Sequence, residues 1–116
     1  ITSDSLDNFL TSITKSTRLT NLNLNLIKSR INEEVINNFG AGIHQLLFLE
    51  TLDLNLMACQ DISEEELHVL AQKCSLLEKL KKFSLCLISC PKVSQVGRQK
   101  IKDCFANSSK IKCSVI

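Results

Sequence analysis

Apolar and polar positions along this chain follow two alternating rhythms. Residues 19 to 26 read LTNLNLNL, and residues 49 to 56 read LETLDLNL. The last positions of each stretch alternate apolar and polar, which is the period of a strand with one buried face. A third copy runs Leu80, Phe83, Leu85, Leu87, and a fourth is expected to run Ile111, Ser114, Ile116. The starting residues Leu19, Leu49, Leu80 and Ile111 are 30, 31 and 31 positions apart. A fixed period of this length is the signature of a solenoid built from stacked supersecondary units.

Between these strands the period lengthens. In SEEELHVLAQKCSLLEK, after Ile62, the residues Leu67, Leu70, Ala71, Cys74 and Leu77 share one face of a helix. Ser63 and Glu66 have capping-box spacing, and three glutamates occupy the first turn, where the helix dipole favours negative charge. One period earlier the same positions hold Ile31, Asn32, Ile36, Phe39, Ile43 and Leu46. Another period back they hold Ile1, Thr2, Leu6, Phe9, Ile13 and Ser16. The next helix is poorer: Arg98 stands where Leu67 and Ile36 stand, and Ser108 replaces Leu77, so that Val93, Ile101 and Phe105 carry the face. The segmentation predicted is a helix over 1–18, repeats over 19–48, 49–79 and 80–110, and a partial strand over 111–116. No unit has an apolar face large enough to fold alone, so burial depends on stacking.

The motif L-x-x-L-x-L, followed by a loop, an apolar residue and an amphipathic helix, resembles the leucine-rich repeat family over the whole chain. The repeat length is similar to that of the ribonuclease-inhibitor-like members. The resemblance implies an α/β fold: a right-handed leucine-rich repeat solenoid with a parallel concave β-sheet and outer α-helices. It also implies a non-catalytic protein–protein interaction scaffold, part of a larger intracellular protein, with a protein partner on the concave sheet. The family places an Asn or Cys after the strand, whose side chain bonds loop backbone in a ladder. Ser29, Cys59 and Cys90 stand at that position here, in a longer loop.

The outward strand positions form the expected partner-binding face: Asn21, Asn23, Asn25, Thr51, Asp53, Asn55, Lys82, Ser84 and Cys86. Short polar groups suit a polar partner surface, although the aromatic and arginine anchors that dominate binding hot spots are missing from it. Asp53 is its one carboxylate and has no partner at a spacing useful for acid–base work. Cys86 has no histidine base in register, and His44 and His68 fall at different, outward positions of successive helices. No catalytic residue, cofactor or small-molecule substrate is therefore expected. The Gly40-Ala41-Gly42 run lies inside a helix, where small residues let neighbouring helices approach, and not in a phosphate-binding loop.

Charge brings in a rival reading. Residues 1–58 carry four basic and six acidic side chains, whereas Lys79 to Lys112 carry nine basic and one acidic. A docking module for a polyanion, whether nucleic acid, an acidic protein tail or an anionic membrane, would use Lys100, Lys102, Lys110 and Lys112 of this basic C-terminal third. No aromatics interleave with these lysines to stack bases, which disfavours nucleic acid, and a membrane is disfavoured on the same dispersal of charge. No run of about 18 apolar residues spans a bilayer. Beginning at Ile1 and ending at Val115-Ile116, the sequence reads as a piece of a longer protein.

The cysteines Cys59, Cys74, Cys86, Cys90, Cys104 and Cys113 all lie in the second half, without a C-x-x-C pair or histidine at ligand spacing. They read as small hydrophobes of a reducing, intracellular and cytoplasmic setting, with no metal site. Thiol titration under denaturing, non-reducing conditions is expected to count six. A count of four or fewer, or stoichiometric zinc, would contradict this.

Overall fold

Leucines at alternate positions and short polar residues between them make four strands, each preceded by a helix. In the computed structural model, which describes residues 3–116, the order is α1 (Ser3–Thr14), β1 (Asn21–Asn25), α2 (Glu33–Gly42), β2 (Thr51–Asn55), α3 (Glu64–Cys74), β3 (Lys82–Cys86), α4 (Gln95–Asp103) and β4 (Lys112–Val115). A single 3-10 turn, Ile43–Gln45, follows α2. The four strands form one parallel sheet in the order β1-β2-β3-β4, each beside its successor in the chain. The helices line up in the same sequence, α1 on α2, α2 on α3 and α3 on α4. The fold is thus α/β, with one sheet face covered by helices. The predicted cap at Thr2, and Ile1 before it, lie outside the described residues.

The register follows the leucine columns. Leu22, Leu52 and Phe83 pair across the sheet, as do Leu24, Leu54 and Leu85, and all six are buried. The helices complete this core with Leu6, Ile36, Phe39, Leu67, Leu70 and Ile101. The rings of Phe83 and Phe105 stack with centroids 4.6 Å apart, a favourable separation for aromatic pairs. Burial of these side chains stabilises the fold by about 1.5–3 kcal/mol each.

Backbone pairing extends beyond the strands into the loops. Leu26 N–H donates to Asn55 O at 2.8 Å and Lys28 N–H to Met57 O at 2.9 Å; Leu56 N–H and Ala58 N–H donate to Cys86 O and Ile88 O, both at 2.9 Å. At the same point of each loop the chain enters the left-handed region without glycine, at Lys28 (φ 58°), Ala58 (φ 59°) and Ser89 (φ 61°). Such a conformation costs on the order of 1–2 kcal/mol for an L-residue. For Lys28 and Ala58, the lateral bond to the next unit offsets part of that cost. Behind this turn lies a side-chain ladder. Cys59 Sγ–H donates to Leu26 O at 3.2 Å, Cys90 Sγ–H donates to Leu56 O at 3.0 Å, and Ser29 Oγ lies 3.6 Å from Cys59 Sγ.

Helix starts recur at the predicted spacing. Asn32 Oδ1 accepts Val35 N–H at 3.0 Å, and Ser94 Oγ accepts Gly97 N–H at 3.0 Å. Between them the Ser63–Glu66 capping box forms, with Ser63 N–H donating to Glu66 Oε1 at 2.6 Å. One cap couples two helices: Glu64 Oε1 accepts both Ser94 N–H, at 3.0 Å, and Ser94 Oγ–H, at 2.8 Å. Those bonds from Ser94 hold the Glu64 carboxyl below the usual carboxylate range. A Cβ on Gly97 would fall 2.6 Å from Glu64 Cβ, so this junction requires glycine. Gly42 is equally confined, against Thr14, whereas Gly40 would place its Cβ at an ordinary 3.6 Å from Leu70.

Two expectations are corrected. Phe9, expected on the inner face with Phe39 and Leu70, is 49% exposed. In α1 the buried set is Leu6, Leu10 and Thr14, at i, i+4 and i+8. Leu10 occupies the inner face where the next units carry Gly40 and Ala71, and the larger side chain there turns Phe9 outward. The second correction is the register of the last strand. Phe83 pairs with Cys113 and Leu85 with Val115, so Ser114 and Ile116 face outward instead of inward. Ile111 remains buried in the column of Leu80, but one residue fewer separates it from the strand. A one-residue slip exchanges the two faces of a strand, and here it buries Val115 and half-buries Cys113 in place of Ile116 and Ser114. Val115→Asp is therefore expected to lower the unfolding free energy by about 1–3 kcal/mol. Ile116→Asp is expected to change it by less than about 0.5 kcal/mol. Urea denaturation of both variants decides the register, and the opposite ranking would restore the unslipped one.

Candidate functional site

The sheet face turned away from the helices is the largest ordered array of outward polar groups in the fold. Pairing arranges its side chains in rows: Asn21–Thr51–Lys82–Lys112, then Asn23–Asp53–Ser84–Ser114, then Asn25–Asn55–Cys86. All nine residues predicted for this face are on it, exposed at the edge strand β1 and at Lys82, half-buried elsewhere on β2 and β3. Neighbouring side chains shield the central strands, whereas β1 has a neighbour on one side only.

The rows differ in what they are free to do. In the first, Thr51 Oγ1–H donates to Asn21 Oδ1 at 2.6 Å, a cross-strand bond that occupies both groups. In the third, Asn25 Oδ1 accepts Ile27 N–H at 3.3 Å and Asn55 Oδ1 accepts Met57 N–H at 3.1 Å. These two asparagines close the turn after their strands, bonding backbone two residues ahead. Their side-chain oxygens serve the loop, which the sequence reading took for partner-facing groups. The middle row is different. The side chains of Asn23, Asp53 and Ser84 make no hydrogen bond or ion pair with any other described residue.

Above the third row the face becomes apolar. Ile27, Met57 and Ile88 follow the strands at one equivalent position; Ile27 and Ile88 are exposed and Met57 is half-buried. Ile116, 58% exposed, lies beside Cys86 through the bonds Leu87 N–H to Ile116 O and Ile116 N–H to Leu85 O. This border lies outside the strand positions expected to face a partner. Aligning the repeats would have found it, because Ile27, Met57 and Ile88 occupy one column.

The lysines of the rival reading are not gathered. Lys112 belongs to the sheet face, beside Lys82. Lys100 and Lys102 project from α4, Lys100 within electrostatic reach of Glu64 and Lys102 of Cys113. Lys110 Nζ donates to the backbone carbonyl of Glu78. Arg98, at a column filled elsewhere by leucine or isoleucine, directs its guanidinium to Val93 O at 2.8 Å and Leu87 O at 2.6 Å. Its charge is committed to loop carbonyls, with the aliphatic stem lying along the core.

Burial governs the surroundings of four of the six thiols. All six cysteines are free. Burial pushes Cys74 up to about 12 and raises Cys90, Cys104 and Cys113 as well. A raised thiol is mostly protonated near neutrality and is a poor nucleophile. Among the described residues no group of three or more His, Cys, Asp or Glu could hold a metal ion, and no helix is long and apolar enough to cross a membrane.

No family model, curated protein or solved structure matches the chain. The division of labour on the sheet face is directly testable. Asn55→Ala is expected to destabilise the fold by about 1 kcal/mol through the lost loop bond. Asn23→Ala is expected to change stability by less than about 0.5 kcal/mol. Chemical denaturation of the two variants provides the comparison, and equal effects would remove the distinction between the rows.

Proposed function

We propose that this chain is a stretch of a leucine-rich repeat solenoid, right-handed, whose exposed sheet is the concave, partner-binding surface of a non-catalytic protein–protein interaction scaffold. One observation carries the reading: a parallel sheet face bears a middle row, Asn23, Asp53 and Ser84, whose side chains have no hydrogen-bond or ion-pair partner among the described residues. Groups that bond nothing within the fold are available to donate to and accept from another surface. The apolar border of Ile27, Met57, Ile88 and Ile116 supplies the desolvated contact that polar rows lack.

The repeat columns, the thiol ladder behind the loops and the recurring helix caps support the family reading. An intracellular setting agrees with six free thiols. The polyanion-docking alternative is weaker, because Lys100, Lys102, Lys110 and Lys112 are divided between a helix, a loop and the sheet face. Dispersed charges produce less focusing than a single cluster.

Pull-down with the purified chain tests the proposal. Replacing Asn23, Asp53 and Ser84 with arginine is expected to abolish partner capture while circular dichroism and the thermal midpoint stay unchanged. Capture is expected to survive moderate salt, because few charges take part. A partner released by moderate salt, and indifferent to the three sheet substitutions, would transfer the function to the basic residues.

A further inference from the structure

A second surface, away from the sheet face, has the composition of a docking site. Where the helices run back into the strands, Leu47, Phe48 and Leu76 are 65%, 47% and 81% exposed. They line one groove of about 460 Å³, floored by the buried Leu77. Neither the strand alternation nor the helix periodicity accounts for these residues, since Leu46, Leu49, Leu77 and Leu80 already fill the core columns there. Both units concerned are flanked by other units of the chain, so stacking leaves the groove open. Large exposed apolar side chains brought together in this way mark interaction sites.

The rim decides which partner fits. Lys73 and Lys79 line the groove, and the Lys79 ammonium lies 5.3 Å from the centroid of the Phe48 ring. On its other side Phe48 borders a second depression with Arg18 and Thr20. Among the described lining residues Glu78 alone is acidic, and its backbone carbonyl already draws in Lys110 Nζ. Cations therefore surround an apolar floor. We propose that this groove binds an acidic peptide segment carrying bulky apolar side chains, its leucines or phenylalanine packing on Leu47, Phe48 and Leu76 and its carboxylates meeting Lys73, Lys79 and Arg18. Charge complementarity selects this occupant: a basic segment would meet like charge, and a neutral apolar one would leave the cations without counter-charges. The site is separate from the sheet and does not depend on the function proposed for it.

Fluorescence anisotropy tests the assignment with a fluorescein-labelled peptide of glutamates interspersed with leucines around one phenylalanine, alongside its glutamine counterpart. The glutamate peptide is expected to bind at least ~10-fold more tightly, and to weaken as salt rises. Leu76→Ser and Lys79→Ser are each expected to weaken it by ~10-fold. Both side chains project from the surface, and an unchanged thermal midpoint shows that each variant is folded. Absence of binding, equal affinity for the two peptides, or a Leu76→Ser protein that binds like the parent would overturn the proposal. So would a concentration-dependent dimer, seen by sedimentation and lost in Leu76→Ser, because the groove would then belong to a second copy of the chain.

Discussion

Hydrogen bonding between equivalent positions of adjacent units is the constraint on which the rest of this structure depends. A single strand followed by a loop and a short helix leaves backbone donors and acceptors open along both edges. Here the next unit satisfies them, first along the paired strands and then through the bonds from Leu26, Lys28, Leu56 and Ala58 into the neighbouring loop. Buried backbone groups need such partners, so the loops must repeat in conformation as well as in sequence. The left-handed turn at Lys28 and Ala58 serves that pairing and recurs at Ser89, although none of these residues is a glycine.

Side chains then adapt to a backbone already fixed in register. The thiols of Cys59 and Cys90 fit behind the turn because a sulfur can donate to the carbonyl of the preceding unit while remaining buried among leucines. Arg98 shows how the same frame tolerates a departure from the pattern. Its position cannot be filled by a charge without partners, and the carbonyls of Val93 and Leu87 supply them. At the start of α4, Glu64 reaches across from α3 to Ser94, and Gly97 provides the space for that reach. Irregular positions are thus coupled to a specific neighbour, whereas leucine positions are interchangeable from unit to unit.

Stacking in parallel also determines what the molecule presents to others. Helices cover one sheet face, and the other keeps a regular spacing of polar side chains that no described element covers. Rows that stabilise loops and strands alternate on this face with a row whose side chains bond nothing among the described residues. Exposed apolar residues gather at its border and at the turns at the opposite end of the strands, with Phe9, Val69 and Val96 single on the helices.

The sequence by itself determined the strand columns of β1, β2 and β3, most of the helix faces and the caps at Asn32 and Ser63, because burial and capping are written in spacing along a local element. It also located the outward residues of β1, β2 and β3, since alternation fixes which side chains share a face. It could not separate Asn23 from Asn25 and Asn55, identical residues in identical alternation, because the difference is whether a backbone amide lies within reach of the side chain. Tertiary structure likewise decided the slip at β4, where Val115 is buried and Cys113 half-buried one residue out of the strict period. It decided Phe9 as well, turned outward by Leu10. The groove around Leu76 and the scattering of the basic residues arise from which distant segments meet. Periodicity records what each residue does within its own unit, but contact between units is set by the packing of the whole stack.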